Sequence, residues 1–145
     1  MLRFETGTPE LAGPCGPDPW YIEVGEDDDP VEVVSRFSRN LIGPPLLVHS
    51  TSWRRARGSV VLSFVVVTSD GQASELAGVP IARTELARSG STGAPTAIAT
   101  GQVIEHGLRH LAWLANDDET VRATLSDEWR RALSSYVPEP FRHLV

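Results

Sequence analysis

His106 and His110 stand four residues apart in a stretch of helical periodicity. That spacing stacks two imidazoles on one helix face, where they could ligate one metal ion. His49, in a segment of alternating polarity, would add a third nitrogen and a carboxylate a fourth ligand. The order is not that of the zincins, because Glu105 precedes the first histidine instead of following it. Glu105 lies one turn before Arg109, and an i, i+4 ion pair is expected between them. The bland reading is equally concrete: His110 flanks the core and His106 is hydrogen-bonded or exposed. Trp113 falls on the histidine side of the same helix, with Gln102 near it. A small-molecule site would therefore draw on His49, Thr51, Trp53, His106, His110 and Trp113. Ser50 or Ser52 served by a helix histidine would make a hydrolytic pair, but the chain has no G-x-S-x-G elbow and no nameable acid partner.

Composition excludes more than it suggests. All 13 basic residues are arginine. Without lysine there is no phosphate-loop lysine, Schiff base or pyridoxal phosphate linkage. No cofactor is expected. A net charge of -6 argues against general nucleic-acid binding. No run of 18 apolar residues occurs, so no membrane helix is expected, and residues 1–13 lack the basic and apolar regions of a secretory signal. Cys15 is the single cysteine, which rules out an intrachain disulfide and a multi-cysteine zinc site. A reducing, cytoplasmic setting follows as the expectation. Cys15 itself reads as a bystander, because no base stands near it in sequence. The chain of 145 residues suits one domain, 1–145.

The elements that must position these residues are organised around residues 59–68, SVVLSFVVVT. Both alternating faces are apolar, so this is expected to be a central strand covered on both sides. Residues 2–5 alternate and read as an edge strand. The Pro and Gly that follow, up to Pro19, make 1–19 an extended arm lying across the surface or across a partner subunit. Residues 20–24, WYIEV, read as a strand. Asp29 and Pro30 form an N-cap and first helical position, opening a helix over 30–41 with Val34, Phe37 and Leu41 as its core stripe. The acids at 26–29 are read as capping and solubilising groups, since adjacent carboxylates diverge and make a poor magnesium site.

Residues 46–53 form the next strand, with Leu47, His49, Thr51 and Trp53 on one face. The segment 54–58, RRARG, turns it into residues 59–68. The hydroxyls of Ser50, Thr51 and Ser52 would pair across strands or line a polar pocket. Asp70 and Gly71 signal another turn, and 79–86 reads as an edge strand tolerant of Pro80, with a short helix starting at Pro80 as the alternative. The loop 89–96 is small and polar; it matches no phosphate fingerprint and reads as a connector. A helix from about 96 or 100 to 115 follows. Asn116 caps the next, with Glu119 in a capping box, and 117–136 reads as one long helix forming an antiparallel hairpin with its predecessor. Phe141 and Leu144 would pin the tail to the body.

Three segments, HSTSWR at 49–54, RHLAWL at 109–114 and YVPEPFR at 136–142, resemble a small uncharacterised family from high-GC bacteria. That resemblance covers about two thirds of the chain and implies no activity. The element order is also similar to a Nudix-type domain, but the glutamate-rich R-E-x-x-E-E helix is missing, and with it that family's catalysis. The expected fold is α+β: a mainly antiparallel sheet packed by one early helix and a C-terminal helical hairpin. The expected function is a non-catalytic small-molecule-binding or protein-interaction module, a homodimer through the Trp113 side of its helix. The alternative is a metal-dependent or histidine-assisted enzyme using His49, His106 and His110.

Overall fold

A computed structural model describes residues 1–5, 7–14, 18–69, 71–86 and 98–138. The chain forms two compact units, Met1–Ile81 and Ala82–Val145. Among the described residues are a five-stranded sheet and four helices, an α+β protein.

The first unit contains the sheet. Strands β1 (Leu2–Glu5) and β2 (Thr8–Ala12) pair as an antiparallel hairpin. Strands β3 (Leu47–Ala56) and β4 (Ser59–Val67) pair as a second, and β5 (Gly78–Pro80) lies antiparallel to β2. The sheet order is β3-β4-β1-β2-β5. The β1–β4 contact is parallel, so the sheet is mixed.

Three expectations change here. The N-terminal segment is not an arm up to residue 12, because β1 occupies the middle of the sheet and Leu2 and Ala12 are buried. Pro9 does not prevent this. Met1 and Ala12 exchange both backbone hydrogen bonds, so alternation puts the nitrogen of Pro9 on the β5 side. There its carbonyl accepts from the Ile81 amide, just past the end of β5. The missing N–H therefore costs the ladder only a terminal bond. Second, β4 is not the covered central strand. It meets β1 only at Leu2↔Val67, at the very end of β4. The rest of β4 is paired with β3 alone. Third, residues 20–24 form no strand. Trp20 instead packs edge-on against Phe37, with ring centroids 6.1 Å apart.

Helix α1 (Pro30–Ile42) begins as its sequence dictates. The Asp29 carboxylate accepts from the amides of Val31 and Glu32, and Gly43 ends the helix at positive φ. Its buried face is Val33, Val34 and Ser38, while Leu41 is exposed. Ser38 is tolerated there because its hydroxyl donates to the Val34 carbonyl at 2.8 Å. Arg3 reaches from β1 to the turn before β5. It pairs with Glu10 at 2.8 Å and donates to the carbonyls of Ala73 and Leu76.

The second unit is helical. Helix α2 (Thr100–Asp117) packs against α3 (Glu119–Thr124) and α4 (Asp127–Leu133). The single long helix expected over 117–136 is broken at Leu125 and Ser126. Leu125 has extended backbone and is buried, and Ser126 starts α4 by accepting from the Trp129 amide. The cap of α3 is Asp118, not Asn116, and α2 continues through Asp117. The core of this unit is Leu108, Leu111, Ala112, Leu125, Trp129 and Leu133. No helix among the described residues is long and apolar enough to cross a membrane. The expectations for Cys15, Asp70, the loop 89–96 and the tail residues Phe141 and Leu144 lie outside the described residues.

Candidate interaction surface

The candidate residues divide between the units: His49, Thr51 and Trp53 belong to the first, His106, His110 and Trp113 to the second.

In the first unit a bulge rearranges the expected strand face. Pairing runs in step from Leu47↔Val67 to Ser50↔Phe64, then resumes at Ser52↔Ser63, leaving Thr51 as the extra residue. Opposite partners share a face, so His49 stands with Val65, whereas Trp53 stands with Leu62, beside Val60 and Phe64. His49 and Trp53 therefore lie on opposite faces, against the expectation from strict alternation. A one-residue insertion inverts every side chain beyond it. Thr51 itself is buried, and its hydroxyl donates to the Ser63 carbonyl at 3.2 Å. This is the cross-strand role foreseen for the hydroxyls. His49 is half-buried, and burial lowers its pKa from the ordinary histidine value.

Beyond the bulge, β3 and β4 form a two-stranded ribbon, and among the described residues no further strand pairs with either edge. One face carries large exposed apolar groups: Trp53 is 65% exposed, Val60 59% and Leu62 39%. Arg55, opposite Val60, shares this face and Arg57 stands at the tip, while Arg54, opposite Val61, lies on the other face; none of the three forms an ion pair with a described residue. Arg57 and Gly58 make the two-residue turn, both at positive φ, 49° and 85°. Asn or Asp is the favoured partner of Gly in such a turn, so an arginine holds a strained position at the ribbon tip.

In the second unit His106, His110 and Trp113 form a ladder on α2. The His106 and His110 ring centroids are 6.4 Å apart and those of His110 and Trp113 5.5 Å. His110 is buried; His106 and Trp113 are half-buried. The helix does bring the two histidines together as their spacing requires. Among the described residues no group of three or more His, Cys, Asp or Glu side chains is placed to hold a metal ion.

The polar centre of this unit is one that the sequence reading underrated. Glu105 does pair with Arg109, at 2.8 Å. It is also fully buried and accepts from Arg83 Nε and Nη2 at 3.2 and 3.1 Å and from the Thr84 amide at 3.4 Å. Arg83 donates further to the Ser135 carbonyl and lies 3.9 Å over the Tyr136 ring. Burial alone would raise the Glu105 carboxyl, but the hydrogen bonds from Arg109, Arg83 and Thr84 together hold it below the ordinary carboxylate value. The signal was present in the spacing, since Leu108 and Ala112 at i+3 and i+7 put Glu105 on the buried stripe. The group is saturated with internal partners, and it clasps residues 83–84 and 135–136 to α2 rather than facing a substrate.

Comparison with known proteins finds no matching family model, no matching curated protein and no matching solved structure.

Proposed function

We propose that this chain is a non-catalytic protein-interaction module that assembles as a homodimer, and that the exposed face of the β3–β4 ribbon is its contact surface. The observation that carries this is Trp53 exposed beside Val60 and Leu62 on a ribbon that no other strand of the described residues flanks. An isolated two-stranded ribbon is marginally stable in water. An exposed aromatic centred among aliphatic and arginine side chains has the composition of an interface core. Trp113, the other candidate for a dimer contact, is half-buried with its ring near His110, and so offers less free surface. The single cysteine and the absence of lysine-based chemistry fit a cytoplasmic, non-enzymatic protein.

Native mass spectrometry of the purified protein tests this reading. The expected spectrum shows twice the 15.8 kDa chain mass with no added metal or metabolite. A monomer carrying a stoichiometric metal ion, lost when His106 and His110 are replaced by alanine, would transfer the function to the histidine ladder.

A further inference from the structure

The ribbon's charge points to what covers it. From Leu46 to Ser69 the chain contains three arginines and not one acidic residue. From Asp18 to Ser35 it contains seven acidic residues, Asp18, Glu23, Glu26, Asp27, Asp28, Asp29 and Glu32, and no basic one. Both segments belong to the first unit, yet among the described residues no ion pair joins them. Each also carries exposed apolar groups: Trp53, Val60 and Leu62 on the ribbon, and Tyr21, Val24 and Val31 on the acidic segment. Asp28 and Asp29 are partly engaged in local hydrogen bonds, to the amides of Gly25 and of Val31 and Glu32. Glu23, Glu26 and Asp27 are exposed.

Resting on the homodimer reading above, we infer that the ribbon of one copy docks on the acidic segment of a second copy, and the second copy's ribbon on the first. One chain carries both halves of a complementary pair, and a two-fold dimer satisfies both at once. Arg55 and Arg57 meet carboxylates, while Trp53 and its aliphatic neighbours meet Tyr21 and Val24. Arginine suits this role because its planar group both pairs with carboxylates and stacks on aromatic rings. A nucleic acid is the other polyanion such a tip would attract. The seven acids on the same unit and the net charge of -6 oppose it.

The test is a charge exchange read by sedimentation velocity on the full chain. One variant reverses the ribbon face (Arg55→Glu, Arg57→Glu). The other reverses the segment (Glu23→Arg, Glu26→Arg, Asp27→Arg) and spares both carboxylates that make local bonds. The parent is expected to be a dimer that weakens with salt. Each variant alone should dissociate, its dimer constant raised about 100-fold or more by like-charge contacts. Mixed one to one, the two variants should form a heterodimer, because both contacts are attractive again. A variant that misfolds is recognised by its lost circular dichroism, and the parent's salt dependence then decides alone. Variants that stay dimeric, or a parent dimer indifferent to salt, overturn the inference and leave the homodimer standing. A monomeric parent overturns both. A monomeric parent that binds a labelled oligonucleotide, with binding lost in the ribbon variant, assigns the arginines to nucleic acid instead.

Discussion

Glu105 is a charged side chain placed where an apolar one would be expected, and it is held there by its hydrogen bonds. Its carboxylate is out of water and holds two arginines and a backbone amide. Removing the carboxylate takes the acceptor from three donors, of which Arg83 is half-exposed and can turn to water, so Glu105→Ala should destabilise the protein by roughly 1–3 kcal/mol. Urea unfolding would show this as a lower midpoint with little change in slope. The same geometry sets a pH dependence. The folded-state pKa lies below the unfolded one, so the unfolded chain binds the proton first. The stabilisation is complete above the ordinary carboxylate pKa of 4.5 and is lost as pH falls below it. Glu105→Gln should flatten the acid limb of the stability profile. His49 acts in the same direction at higher pH. Its pKa is lowered from 6.5, so its contribution is complete above that value and is lost on acidification below it. Replacing His49 by leucine should remove that part of the slope, as measured by thermal melts across the range.

Elements here depend on local devices at their ends and irregularities. Helix α4 has only seven residues and relies on the Ser126 side chain at its start. Ser126→Ala should cost about 1 kcal/mol, seen as a lower melting temperature. The ribbon depends on its bulge and its turn. Thr51→Val keeps the shape but removes the bond to the Ser63 carbonyl, with an expected cost of about 1 kcal/mol. Arg57 tests the opposite trade. Asn fits positive φ better, so Arg57→Asn should stabilise the folded chain by up to about 1 kcal/mol. It should nonetheless weaken self-association, because it removes one of the two contact charges. A variant that gains in both respects would show that the arginine serves no contact.

At the scale of the molecule, charge is segregated along the sequence more than its total suggests. A net charge of -6 conceals a ribbon that is purely basic and a segment that is purely acidic. Attraction between exposed charges is screened beyond about 8 Å at physiological ionic strength. An assembly built on these patches should therefore weaken as salt rises, whereas one built on a helix face such as that of Trp113 should not. Salt dependence of the sedimentation coefficient separates the two.

Local pattern alone determined several features correctly. Asp29 and Pro30 predict the start of α1 because capping needs only neighbouring atoms. The hairpin within 54–58 and the β3–β4 pairing follow from a short loop between two apolar strands, although β3 runs on to Ala56 and the turn itself is only Arg57 and Gly58. The i, i+4 spacing of Glu105 and Arg109, and of His106 and His110, places each pair together on any helix. Other features needed partners distant in the chain. The sequence of β1 has no mark that would put it in the middle of a sheet, and Pro9 counts against β2 until the ladder's hydrogen-bonding side is known. The burial of Glu105 depends on Arg83, 22 residues earlier. The largest difference turned on one residue. Alternation placed Trp53 beside His49, but the bulge at Thr51 moved it to the opposite face, since a strand's two-residue period records every insertion. Sequence determined which side chains were available; tertiary pairing decided which of them met, because strand register is settled by the partner and not by the strand itself.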